Sequence, residues 1–128
     1  MIAVDSSALV LAVTDTTERG AMIRTRLHDG AAAPHLVDAE VGQAIRGLVL
    51  RAVLQTNAAE RSLTAAFDLV TERYAHGALR RRAWQLRAQV SYYDGLYVAL
   101  AEAAALPLVT ADRRLTRASG PRCHFELV

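Results

Sequence analysis

The 128-residue chain contains no lysine; all fifteen of its basic residues are arginine. Any mechanism that turns on a lysine side chain is thereby excluded. Cysteine is almost absent too. With Cys123 alone, no internal disulfide can form and a cysteine-built zinc site is ruled out. The four histidines, His28, His35, His76 and His124, are scattered without ligand spacing and read as ordinary surface or half-buried residues. Long apolar runs are also missing. The longest candidate, around Leu48 to Leu54, is interrupted by Arg51 and falls far short of the ~18 residues a membrane span needs, so no membrane association is expected. The N-terminal M-I-A-V-D lacks the basic region and apolar core of a signal peptide, which points to a cytoplasmic location. No repeat, low-complexity segment or linker interrupts the chain. The expectation is one domain over residues 1–128.

What is present is a 52% apolar composition, enough for a sizeable core, and an uneven charge. Residues 1–64 hold six arginines against seven acids, whereas residues 65–128 hold nine against six. The excess lies in Arg80, Arg81, Arg82, Arg87, Arg113, Arg114 and Arg117. Arginine clusters bind phosphate by paired hydrogen bonds, so a polyanionic partner is one reading and a solvated helix face is the other.

Along the chain, short apolar runs alternate with amphipathic ones. Met1–Val4 reads as a buried strand ending at Asp5, and Ser6-Ser7 lead into a helix over Ala8–Val13. Thr16 or Thr17 caps a helix over Glu18–His28, and Ala31–Pro34 is a second strand poor in β-formers. Leu36–Ala52 is a helix with Val37, Val41, Ile45, Leu48 and Ala52 as its apolar stripe and Glu40 near that stripe's edge. A helix over Ala58–Val70 bears Leu63, Ala66, Phe67 and Val70, and Thr71–Tyr74 is a short strand or a fraying helix end. Ala78–Ala88 is expected to turn Leu79, Ala83, Trp84 and Leu86 inward and its arginines outward, with Trp84 a core or dimer-interface anchor. The Asp94 helix runs to about Ala105. Pro107–Val109 is a strand entering T-A-D-R-R-L, where Thr110 or Asp112 starts a last short helix, and Cys123–Val128 is a closing strand. This alternation predicts an α/β fold with a parallel sheet covered on both faces, whose ligands bind beyond the carboxyl ends of the strands.

Asp5 and Asp112 fall at or just after strand ends, and Glu40 and Asp94 near helix N-termini that open onto the same edge. Each has a plainer reading. Asp5, Asp94 and Asp112 could cap helices, and Glu40 could be solvated. Gathered together, four carboxylates without histidine or thiolate are hard oxygen donors that suit Mg²⁺, with Mn²⁺ as an alternative, and disfavour zinc or copper. An acidic centre with arginines nearby suggests nucleic-acid hydrolysis through metal-activated water. Tyr92, Tyr93 and Tyr97 could stack on bases, although core packing accounts better for at least one of them. Glu102, off the Asp94 face, reads as structural.

In order and spacing, the pieces D-S-S-A-L-V, D-A-E-V-G-Q-A-I, A-W-Q-L-R, Y-D-G-L-Y-V-A-L-A-E and P-L-V-T-A-D-R-R-L span the whole chain. Together they resemble the PIN-domain ribonucleases, in particular the VapC toxins of bacterial type II toxin–antitoxin pairs. The resemblance implies a PIN-like three-layer α/β/α sandwich with a short, mostly parallel five-stranded sheet. It further implies a Mg²⁺-dependent endoribonuclease that is inhibited by a VapB-like antitoxin. Assembly as a homodimer is implied as well, and as a heterotetramer or larger with the antitoxin. The acidic residues of the family carry over to Asp5, Glu40, Asp94 and Asp112, as metal ligands and catalytic groups. Its small hydroxyl neighbours carry over to Ser6 and Thr110, which with Arg113 and Arg114 are candidates to hold RNA; Arg80–Arg82 are weaker ones. Gly95 stands where such proteins more often have alanine, and glycine loosens the first helical turn by up to ~1 kcal/mol.

Two other functions compete. Phosphoryl transfer to an aspartate, as in receiver domains or dehalogenase-like phosphatases, also uses an acid after the first strand. It needs further acids and a lysine, whereas Ser7 stands two residues after Asp5 and lysine is missing. A catalytically silent PIN-fold module that binds RNA or protein is the remaining alternative.

Overall fold

A computed structural model describes residues 1–128. Five strands form one sheet: β1 (Ile2–Val4), β2 (Ala31–Pro34), β3 (Glu72–Tyr74), β4 (Leu108–Thr110) and β5 (Phe125–Leu127). Their order is β3-β2-β1-β4-β5 and every pair is parallel. The chain leaves β1 to build one side of the sheet and returns with β4 to build the other. The neighbouring carboxyl ends of β1 and β4 therefore form the switch point where such sheets place their ligands. The central strands are wholly buried and, apart from Thr110 at the end of β4, apolar, as expected of strands covered on both faces. β2 forms from A-A-A-P despite its low β-propensity because burial on both faces, not intrinsic preference, decides a central strand.

Six helices cover the sheet: α1 (Ser6–Thr14), α2 (Glu18–Leu27), α3 (Leu36–Leu50), α4 (Thr56–Leu69), α5 (His76–Gln85) and α6 (Tyr92–Ala104). α1 packs with α2, α3 and α4, and α5 packs against α6, which lies along β1 and β2. The period-two alternation of β2 divides its contacts. Ala32 packs with Leu79, Ala83, Leu96, Ala99 and Leu100 of α5 and α6, while Ala31 and Ala33 join the larger core cluster. No helix is long and apolar enough to cross a membrane.

The structure corrects four details of the pattern reading. α3 stops at Leu50, because Ala52 adopts a left-handed conformation (φ 56°) and the Val53 amide donates back to the Leu48 carbonyl, an αL ending that removes Ala52 from the stripe. On α4 the buried face is Ala59, Ser62 and Ala66, whereas Leu63 and Phe67 are exposed. Small residues let α4 approach α1, where Ser62 Oγ donates to the Val13 carbonyl at 3.0 Å. Trp84 points outward and is 59% exposed. Arg82 turns inward, pairing at 2.7 Å with Glu102, which also accepts from the Arg122 amide. Glu102 is thus structural, tying α5, α6 and the approach to β5 together. The outer strand β3 is held at its side by Arg73, which grips the Asp38 carboxylate with two hydrogen bonds.

Gly95 has a steric reason. A Cβ there would meet the Ala83 Cα and carbonyl oxygen at 3.1 Å each, and the Ala83 Cβ at 3.3 Å. These atoms are the backbone of α5 and cannot swing away. Alanine would gain up to ~1 kcal/mol of helix propensity but incur an overpacking cost of about 1–3 kcal/mol. Gly95→Ala is therefore expected to lower stability by about 1 kcal/mol in urea unfolding, with the midpoint shifted and the slope unchanged; a stabilised variant would contradict the close approach.

Candidate active site

Asp5 is the residue after β1 and the N-cap of α1. Its carboxylate is almost fully buried. Oδ1 accepts from Ser7 Oγ at 2.7 Å and from the Ala8 amide at 3.0 Å, and Oδ2 accepts a short hydrogen bond from Thr110 Oγ1. Burial raises its pKa above the ordinary carboxylate range, these hydrogen bonds oppose the rise, and the charge of Asp94 adds to it. The capping role and a place in the site therefore coexist in one side chain.

Asp94 lies in the first turn of α6, but the cap there is Ser91, whose Oγ accepts from the Asp94 amide at 3.1 Å. The carboxylate is half-buried. Burial pushes its pKa up; the nearby Ser91 hydroxyl opposes that, Asp112 adds to it and Arg114 opposes it. Asp112 follows β4, and its Oδ1 accepts from the Arg114 and Leu115 amides at 2.8 and 3.3 Å, closing the turn into a short 3₁₀ segment, Leu115–Arg117. Glu40, one turn into α3, accepts a 2.6 Å hydrogen bond on Oε1 from the buried Tyr97 hydroxyl. Tyr97 in turn feels the charge of Asp5, so the four acids from four segments share one neighbourhood at the carboxyl edge of the sheet.

The remaining candidates divide. Ser6 is half-buried in the first turn of α1, near the Tyr97 hydroxyl. Thr110 is 0% exposed, and its hydroxyl is spent on Asp5 and on the Asp112 amide, 2.9 Å away. Arg113 and Arg114 are exposed, and Arg114 Nε stands 3.8 Å from Asp112 Oδ1. Two residues were not singled out from sequence for the parts they play. Ser7 links Asp5 to the β4 loop, accepting from the Ala111 amide at 2.9 Å. Tyr97 orients Glu40; the signal was its position one turn after Asp94 on the same face.

Asp5, Glu40 and Asp94 have no arginine within ion-pair distance. The donor set is hard oxygen, which fits a divalent cation such as Mg²⁺. No three acidic or histidine side chains stand close enough together to ligate one ion jointly. That is compatible with an ion that keeps several waters and takes only one or two carboxylates directly. A recess of about 830 Å³ lined by Leu79, Arg82, Glu102, Leu106, Arg122 and Cys123 includes none of the four acids.

The PIN domain family model matches residues 2–121. The chain belongs to the PIN-domain family. Ribonuclease VapC1 of Mycobacterium tuberculosis is 43% identical to it, over 98% of this chain and 96% of that protein. Ribonuclease VapC9 of the same organism is 40% identical over 100% and 98%, and Ribonuclease VapC12 36% identical over 100% and 99%. The crystal structure of PAE2754 from Pyrobaculum aerophilum superposes with a TM-score of 0.71, covering 97% of this chain and 87% of that one; at 23% identity this speaks to the fold alone.

Two outcomes follow for this PIN domain. A carboxyl whose pKa is higher folded than unfolded favours the folded state while protonated and loses that contribution as pH rises through the folded value. Without divalent ions, Asp94→Asn should therefore melt a few degrees above the parent at neutral pH, with the gap closing toward pH ~4. A gap that is constant or reversed in calorimetric melts would contradict the burial of this charge. Tyr97→Phe leaves Glu40 without its donor and should weaken Mn²⁺ binding, read by calorimetry, while the circular dichroism spectrum is retained. Unchanged Mn²⁺ affinity would assign Tyr97 to packing alone.

Proposed function

We propose that the protein is a Mg²⁺-dependent endoribonuclease, the toxin of a type II toxin–antitoxin pair restrained by a small VapB-like antitoxin. The observation that carries this reading is the gathering of Asp5, Glu40, Asp94 and Asp112 on one sheet edge without a basic partner for the first three. Family membership and relatives named as VapC ribonucleases support it. The acids by themselves would repel a phosphodiester, so a cation between them is the chemistry that makes sense of the arrangement.

Asp5 and Asp94 would hold the ion, with Asp5 kept in one orientation by Ser7, Ala8 and Thr110. When bound, a divalent cation polarises the phosphate and lowers the pKa of a coordinated water. Glu40, fixed through Oε1 by Tyr97, would keep Oε2 to help hold the ion through a water and to take up a proton, while Asp112 completes the negative rim. Arg113 and Arg114, next to that rim, are placed to pair with flanking phosphates, and Ser6 with a phosphate oxygen. The Arg114 charge would be drawn from Asp112 to the substrate.

Purified protein with Mg²⁺ should cleave single-stranded RNA, and both EDTA and Asp94→Asn should abolish the activity, with Mn²⁺ restoring the chelated wild type. Cleavage that survives either change would defeat the proposal. A catalytically silent PIN-fold RNA- or protein-binding module is the second reading, favoured by the lack of three carboxylates within joint ligating distance. Calorimetric titration that finds no Mg²⁺ or Mn²⁺ binding while RNA affinity persists would select it.

A further inference from the structure

The outer face of α5 presents Arg80, Arg81 and Trp84 at helical spacing, with Arg87 one turn beyond Trp84 just after the helix ends. All four are exposed. Arg80, Arg81, Trp84 and Tyr92 line a shallow recess of about 540 Å³. The Arg87 guanidinium lies over the Trp84 ring, 4.8 Å from its centroid, and its Nη1 donates to the Trp84 carbonyl at 2.9 Å. The indole is thus held from one side and remains 59% exposed. No carboxylate forms an ion pair with Arg80, Arg81 or Arg87. The tight contact of α5 with α6 at Ala83 and Gly95, on the inner face, leaves no room there for the indole.

An exposed indole and a 40%-exposed Tyr92 among three unpaired guanidinium groups have a specific complement: a flat aromatic ring joined to negative charge. Tyr92 shares the first turn of α6 with Asp94 but projects from nearly the opposite side. The recess and the acidic edge are therefore separated by about one helix width, ~10 Å, a distance a single strand covers in very few nucleotides. We propose that the α5–α6 corner formed by Arg80, Arg81, Trp84 and Tyr92 is a stacking platform for an unpaired base of single-stranded RNA bound across the acidic edge. The platform rests on the ribonuclease reading above and adds a second, base-gripping contact outside the acidic centre. Stacking on Trp84 supplies affinity tolerant of sequence, and Arg80 and Arg81 neutralise the adjoining phosphates. A second copy of the chain fits this face less well, since a two-fold contact would set the same unpaired arginines against one another.

The test uses a short fluorescent single-stranded RNA of mixed sequence, with Asp94→Asn as the background for binding and wild type as the background for cleavage. Trp84→Ala should weaken binding about tenfold and raise KM, and Trp84→Phe should restore most of the loss. Arg80→Gln with Arg81→Gln should flatten the dependence of binding on salt by roughly 0.7 in the logarithmic slope for each phosphate released. Unchanged binding and KM in Trp84→Ala, with wild-type cleavage intact, would overturn the platform and leave the nuclease reading standing. Trp84-dependent binding with no cleavage by wild type would keep the platform and remove the nuclease. If Trp84→Ala instead converts a dimer to monomer in sedimentation, the face is a self-association surface and the platform falls.

Discussion

Negative charge crowded onto one edge of a small sheet is the constraint around which the molecule is arranged. Asp5 sits in the core at the end of β1, where an ionised carboxylate is tolerated only because three donors converge on it. Each donor does a second job: the Ala8 amide starts α1, Ser7 joins α1 to the loop after β4, and Thr110 joins β4 to the Asp112 turn. The local folding of the switch point and the orientation of its most buried acid are therefore one hydrogen-bond network. At Asp94 burial and the neighbouring Asp112 likewise raise the pKa, against the opposing effects of Ser91 and the Arg114 charge.

The second constraint is closeness on the other layer. α6 must lie against β1 and β2 to carry Asp94 and Tyr97 to the edge, and α5 must then lie against α6. Alanines in β2 and on α5, with Gly95 on α6, make that approach sterically possible. The same tight contact leaves Trp84 on the outside, so the packing of the inner layer decides what the outer surface offers to a partner.

Much of this arrangement can be read from the residues. An apolar run of four ending in an acid marks β1, Pro107–Val109 entering T-A-D marks β4, and the helix periods put Glu40 and Asp94 on faces expected to meet the edge. The misreadings share a cause. Period-three patterns identify a helix face only to within about one residue step, and on α4 and α5 the rule that large apolar residues go inward chose Leu63, Phe67 and Trp84 over the small residues that close packing prefers. Ala52 continues the apolar spacing of Val41, Ile45 and Leu48 and so reads as helical, whereas the chain ends α3 before it and Ala52 is left-handed. Ser7 and Tyr97 were hidden because their partners, Ala111 and Glu40, lie more than fifty residues away in sequence, and no local pattern records such a meeting.

The sheet's two margins have a consequence of their own. β3 and β5 are only three residues long, and they carry Glu72, Arg73 and Glu126, with Arg73 committed to Asp38 and Glu126 to Arg26. Short, charged borders of this kind are poor templates for adding a strand from another molecule. Growth of the sheet from one molecule into the next is thereby discouraged, and lasting company, whether another copy or a restraining protein, is left to find its grip on the helical flanks.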